Sequence, residues 1–178
     1  MNNIEVHVFI FCLQNVVKPY DLVIDVQGFQ SSTSQMIIKE LAIVSVDGKQ
    51  SHYALFESPV PFSELNTKAQ NTAKWLTLNH HNLPYEIGSI PYCNMPDVIL
   101  LCMNVQSDAA IYAKGNDKCK FVASIIHKHV YNVEQFGCEN FENLCKTSNK
   151  YCEFHSDGKF ACALHHANVI KHFLQNML

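Results

Sequence analysis

The apolar positions change period part-way along the chain. Over roughly the first third they come as short runs rich in β-branched residues, at 6–12, 22–26, 36–46 and 51–56, a pattern that predicts strands. Asp47-Gly48 separates the last two runs and predicts a tight hairpin turn, so those strands pair antiparallel. The run at 6–12 adds an extra N-terminal strand to the three core strands. From Leu65 the spacing turns helical: Leu65, Ala69, Ala73, Trp75 and Leu76 lie close to one face of 65–78, with Pro84 beyond the end. Trp75 reads as a core residue of that helix. Pro96-Asp97 opens a second helix over 98–105, at a position where helix starts tolerate proline. Phe121, Val122, Ile125 and Ile126 mark a third over 116–128, and Leu164, Ala167, Ile170 and Leu174 a last one over 161–177. Short strands at 110–113 and 130–133 alternate with these helices, and strand-helix-strand order implies parallel pairing. The expected architecture is α/β, a mixed sheet flanked by helices in the order βββαβαβα.

Composition narrows the classes. With 178 residues, 48% hydrophobic and 16% charged, the chain is long enough to bury a core as one domain over 1–178 without a disulfide scaffold. No apolar run approaches the roughly 20 residues that span a bilayer, so a soluble protein with no membrane partner is expected. Thirteen Lys and Arg face 16 acids, for a net charge of -3. High affinity for nucleic acid from bulk charge is therefore not expected, and any such contact has to use a local patch. The 6–12 run lacks a cationic start and a small-residue cleavage site, and no Asn-x-Ser/Thr acceptor occurs. Both features point to an intracellular protein, cytoplasmic or nuclear.

Cysteine and histidine stand out, at eight and ten copies. Cys12, Cys93, Cys102 and Cys119 lie in or beside apolar segments and read as buried free thiols. Cys138, Cys145, Cys152 and Cys162 instead crowd together with His155 among them. Cys152-x2-His155, followed after six intervening residues by Cys162, supplies three soft ligands on a compact knuckle and a helix start, a set that suits structural zinc. The residues alone leave other sets open: Cys138 or Cys145 could join an all-cysteine or three-cysteine-one-histidine site, Cys152 and Cys162 could pair as a disulfide, or both could be core thiols.

Three strands followed by alternating helices and strands is the order of ribonuclease-H-like folds. Asp25, within Leu22-Val23-Ile24-Asp25-Val26-Gln27-Gly28, resembles the first motif of the DEDD 3'-to-5' exonucleases, in which an Asp and a Glu two apart hold catalytic metal. Gln27 stands at the Glu position, Lys118 where a second metal-binding Asp belongs, Cys162 at the general base and Ala167 at the last acid. A cation at a metal-ligand position removes two-metal chemistry, and Asp25 is left as a vestige with no catalytic residue assigned. Cys152, His155 and Cys162, together with Glu40 in the apolar run Ile38-Lys39-Glu40-Leu41-Ala42-Ile43, resemble the Maelstrom domain. That domain is a degenerate exonuclease-like module of the piRNA pathway marked by a Glu-Cys-His-Cys zinc site. The resemblance implies that Glu40 is the fourth ligand, that the ribonuclease-H-like fold is kept, and that the role lies with RNA and gene silencing.

Lys114, Lys118 and Lys120, with Lys128, form the notable basic cluster and are candidates for phosphate contact. His80-His81 reads as a solvated helix end, and His166 as a second-shell neighbour of the metal. Three functions compete: a zinc-stabilised module that binds, or weakly cleaves, single-stranded RNA; a non-catalytic module with protein partners in a silencing complex; and a metal-dependent exonuclease using Asp25.

Overall fold

A computed structural model describes residues 17–33, 35–103, 108–144 and 148–178. The strand expected at 6–12, and with it Cys12, lies outside the described residues. Five strands form one mixed sheet: β1 (Leu22–Gln30), β2 (Met36–Ser45), β3 (Ser51–Leu55), β4 (Ile111–Ala113) and β5 (Tyr131–Asn132), in the order β3-β2-β1-β4-β5. β2 runs antiparallel to β1 and β3, whereas β4 is parallel to β1 and β5 parallel to β4. This is the expected α/β mixed sheet with flanking helices, and its order is compatible with a ribonuclease-H-like fold. The Asp47-Gly48 turn forms as expected, with Gly48 at φ +75 and the Asp47 carboxylate held by the Ser45 hydroxyl at 2.6 Å.

Helices cover both faces. α1 (Thr67–Leu76) starts at Asn66, whose side chain accepts from the Ala69 amide, satisfying one of the donors every helix start leaves open. It continues into a π-helical turn, Thr77–His81. α2 (Met95–Cys102) carries Pro96 in its first turn and begins earlier than its apolar run suggested, because the proline sits inside the helix rather than before it. α3 (Asn116–Ile126), a one-turn α4 (Phe141–Leu144) and α5 (Ala163–Gln175) complete the set. Leu22, Ile24, Leu41 and Ile43 pack under α2 and α3 against Met95, Ile99, Val122 and Ile126. On the opposite face Val23, Ala42 and Val44 meet Ala163, Ala167, Ile170 and Leu174 of α5. Phe29 and Ile37, where β1 and β2 extend past the others, pack on Ala69 and Ala73 of α1. Among the described residues no helix is long and apolar enough to cross a membrane.

Two expectations based on apolarity fail here. Trp75 is 58% exposed rather than core, because Ala69 and Ala73 define the buried stripe of α1 and leave Trp75 on its outer side. Cys93 is exposed rather than buried, since it sits on a short 3-10 turn instead of an apolar helix.

The β1–β2 register shifts between Gln27 and Gly28: Gln27 faces Glu40, but Gly28 faces Ile38. Lys39 is the extra residue, a β-bulge of the kind that re-aims neighbouring side chains. It lets Glu40 face α5 while Ile38 and Leu41 face the other core. At the bulge the backbones close up so far that a Cβ on Gly28 would collide with the Ile37 carbonyl. Gly28→Ala should therefore lower stability by about 2–3 kcal/mol, read as the shift in urea midpoint at unchanged slope; a loss below about 0.5 kcal/mol would mean the bulge relaxes freely.

Candidate metal centre

The bulge aims Glu40, fully buried, at the start of α5. Cys152 lies in extended backbone ahead of a 3-10 turn, Glu153–His155, whose last residue bonds back from its amide to the Cys152 carbonyl at 3.1 Å. That turn puts two side chains three residues apart on one side of a knuckle. Cys162 is the N-cap residue of α5, with φ -124 and ψ 127 turning its thiol inward. The four expected ligands thus come together, each buried, with their ligand atoms all within 4.8 Å of one another. Cys152 Sγ lies 3.1 Å from His155 Nδ1 and 3.4 Å from Glu40 Oε1, Cys162 Sγ lies 3.5 Å from the same oxygen, and His155 Nδ1 lies 3.3 Å from it. This cluster could hold a metal ion.

Each group is perturbed by its burial and its neighbours. Desolvation pushes the Glu40 carboxyl up, against the pull of His155 and of the Ala163 amide. Burial alone would lower His155, but hydrogen bonds to Cys152 and Glu40 outweigh it and raise the imidazole to about 10. The two thiols share a hydrogen bond that holds Cys152 low as the acceptor thiolate and Cys162 high as the donor. Without a cation, a carboxyl, an imidazole and a thiolate must balance their charges in a space shut off from water, which is costly. A divalent cation among them removes that cost.

The surroundings hold the ligands in place. Glu40 Oε2 accepts from the Ala163 amide at 2.9 Å, so its second oxygen caps α5 where the helix dipole favours negative charge. His155 Nε2 donates to the His81 carbonyl at 2.6 Å, which fixes the tautomer and leaves Nδ1 toward the cluster. The Tyr53 phenol on the edge strand is pushed well above its usual range, first by burial and then by Glu40 and Cys152 nearby. Sequence reasoning missed Tyr53; the signal is its place in β3 opposite Ala42, two residues along from Glu40's partner Leu55 and so on the same face.

The other sequence candidates fall elsewhere. Cys138 is buried in the core beneath α5, its thiol pushed up to about 11 by burial, and is not in the cluster; Cys145 lies outside the described residues. Cys152 and Cys162 are free thiols rather than a disulfide. His81 is fully buried, not solvated, and only His80 is exposed. The π-helical turn accounts for this difference, rotating His81 inward where a regular helix would have left it outside. His166 belongs to Asp25, not to the metal cluster: its Nδ1 lies 3.2 Å from Asp25 Oδ2, and its ring stacks on Phe141 at 3.8 Å.

Asp25 sits within β1, completely buried, with Gln27 Nε2 donating to Oδ2 at 3.2 Å and Lys118 Nζ at 2.5 Å from Oδ1. Desolvation would raise its pKa, but the charges of Lys118 and His166 overcome it, and the carboxyl lies below the usual range. Lys118 thus sets a cation directly against the carboxylate. Of the three lysines suggested for phosphate, Lys114 is turned inward, 8% exposed, bonded to Glu134 and the Cys138 carbonyl. It is removed from the candidate surface, because the start of α3 packs it beneath Glu134. Lys118 and Lys120 remain, both lining a cleft of about 890 Å³ between α1 and α3 that includes Gly28, Phe29, Tyr92 and Phe121.

No protein-family model matches the chain, and comparison with curated proteins gives no match.

The Asp25–Lys118 pair makes a quantitative prediction. Lys118→Met leaves a buried carboxylate without its cation and should lower stability by about 3 kcal/mol at pH 7. In the intact protein the low Asp25 pKa contributes stability that is present above about pH 4 and lost as pH falls through the folded value. The variant's carboxyl rises, so its deficit should shrink as pH falls toward 4–5, and Asp25→Asn in the same chain should recover most of it. Urea titrations across pH test this; a deficit independent of pH would assign Lys118 a packing role only.

Proposed function

We propose that this chain is a zinc-stabilised, exonuclease-like module related to Maelstrom domains, which binds single-stranded RNA in the service of small-RNA and transposon silencing and does not run two-metal hydrolysis. The observation that carries the reading is the buried Glu40-Cys152-His155-Cys162 cluster on a sheet of ribonuclease-H-like order, beside an Asp25 already neutralised by Lys118. Two thiolates, one imidazole and one carboxylate suit zinc better than harder or octahedral cations. A tetrahedron with zinc bond lengths has edges of about 3.3–3.8 Å; four of the six donor separations, at 3.1–3.5 Å, approach that, and all lie within 4.8 Å. The ion's role is structural: four protein ligands close the coordination shell, and the ligands tie β2 to the knuckle and to α5.

RNA is assigned to the cleft between α1 and α3. Lys118 and Lys120 line one side beside Asp117, and the half-buried rings of Tyr92 and Phe121 offer surface for unstacked bases. With a net charge of -3 the affinity rests on this local patch, so it should be modest and salt-sensitive. A second reading, a protein-interaction module in a silencing complex, is favoured by the exposed Trp75 and Leu78 at the end of α1, 58% and 74% accessible. In that case partners should be captured without any nuclease-sensitive component.

Elemental analysis should find about one zinc per chain, and Cys152→Ser or Glu40→Gln should lose it with a fall in melting temperature, because the binding free energy of a structural metal is folding free energy. Equal heat resistance with and without chelator would overturn the metal assignment. Fluorescence anisotropy with a labelled single-stranded oligouridine should detect binding that weakens several-fold between 50 and 200 mM salt, as about two or three phosphate contacts require, with Lys120→Ala weakening it further. Absence of binding at the lower salt, together with nuclease-resistant protein capture, would favour the second reading.

A further inference from the structure

The metal cluster and the cleft share a wall. A helix leaves its last carbonyls without partners, and the π-helical turn Thr77–His81 ends α1 with two such groups turned toward the knuckle. The Ala161 amide, one residue before Cys162, donates to the His80 carbonyl at 2.8 Å, and His155 Nε2 donates to the His81 carbonyl at 2.6 Å. The metal-binding segment therefore caps the end of this turn from both sides.

The same turn reaches the cleft through the His81 ring. The Leu83 amide donates to Nδ1 at 3.1 Å, which makes Nδ1 the acceptor and Nε2 the protonated nitrogen; Nε2 then donates to the Gly28 carbonyl, also at 3.1 Å. The ring also packs edge-on against Phe29, centroids 4.9 Å apart. Gly28 and Phe29 line the cleft, and Gly28 stands at the bulge that aims Glu40. A continuous chain of buried contacts thus runs from the ligand His155, through the His81 carbonyl and ring, to the backbone that shapes the cleft.

We propose that His81 is a positioning residue that couples the two sites, so that filling the metal cluster sets the cleft for single-stranded RNA and RNA in turn tightens the grip on metal. This rests on the RNA and zinc assignments above and adds their mutual regulation. With the ligands drawn onto an ion, His155 holds the π-helical turn in one position, and His81 transmits that position to Gly28 and Phe29. With the ligands released, the two capping donors are free to leave, and the turn loses its anchor on the cleft side. Coupling of this kind is reciprocal: whatever factor metal adds to RNA affinity, RNA must add to metal affinity.

Reciprocity supplies the test, which starts from the folded holoprotein. Zinc affinity is measured by competition with a chromophoric chelator, with and without saturating oligouridine; RNA should tighten it about 10-fold. His81→Phe keeps the backbone carbonyl for His155 and the ring against Phe29 but cannot bond Gly28 or Leu83. It should still bind one zinc, with the RNA-induced tightening reduced to less than about two-fold. His81→Gln restores a donor toward Gly28 and should recover at least a three-fold effect, about a third of the wild-type factor; it also serves should the phenylalanine variant fail to fold. Zinc affinity that is unchanged by bound RNA in the wild-type protein overturns the coupling while leaving the proposed function intact. Full tightening in His81→Phe overturns the role of His81. A wild-type protein that binds no oligouridine at all overturns the RNA reading itself, an outcome distinct from both.

Discussion

A carboxylate in the middle of a sheet, sealed from water, is the constraint around which this molecule is arranged. Glu40 lies on the central antiparallel strands with none of its surface exposed. Its ionised form cannot persist there alone, since desolvation of a charge costs several kcal/mol after relaxation. One oxygen is satisfied by the start of α5 and the other faces two thiols and an imidazole. These contacts fix where α5 must begin and where the knuckle must fold. Glu40 shares its face with Ala42 and Val44 by strand alternation, and the Lys39 bulge resets the phase so that Ile38, two residues earlier, faces the opposite core.

A second buried carboxylate sits close by and is neutralised differently. Asp25 pairs with Ala42 and Gln27 with Glu40, so both acids project from adjacent strands toward the same helix. Two negative charges under one helix would repel strongly in a low dielectric. Lys118 from α3 neutralises one, and the cluster of soft ligands accommodates the other. The solution is divided: an ammonium group lies close against Asp25, and His166, stacked on Phe141, contacts its other oxygen.

Much of this was legible in the chain. The switch from period two to period 3.6, the Asp47-Gly48 turn and the alternation of short strands with helices were enough for the layer architecture, since each is a local signal with a local cause. The knuckle was legible as well, because Cys152, His155 and Cys162 are near neighbours in sequence. Glu40 was reached through family resemblance and by its oddity as an acid in an apolar strand, whereas the bulge that turns it inward leaves no sequence mark beyond Gly28. What stayed hidden depends on rotation about a helix axis. One extra residue per turn at Thr77–His81 decides that His81 is buried and His80 is not, and two alanines rather than Trp75 define the inner face of α1. Lys114 was misread for a related reason: a cation in a basic run looks solvated until the acid that covers it, Glu134, is brought in from the far side of β5.

The stretch between β5 and α5 explains why so small a protein carries so many soft ligands. Among its described residues it offers short 3-10 turns and the single turn of α4, and a connection of that length with so little regular structure is unusual in a compact domain. Ordering each residue opposes folding by about 1–2 kcal/mol of backbone entropy, which this segment offsets in part by burying Val133 and Cys138 and packing Phe136, Phe141 and Leu144 on the core. Its other anchors are specific: Phe141 stacked on His166, Tyr151 stacked on His165 at 4.1 Å, and the clustered Cys152, His155 and Cys162. A stacked ring pair adds only about 0.5–1.5 kcal/mol beyond its buried area, so two pairs cannot hold the segment by themselves. Metal coordination can, since apparent binding free energies of structural zinc reach about 10–16 kcal/mol in small domains. An ion held by this cluster would fasten the segment to the strand that carries Glu40.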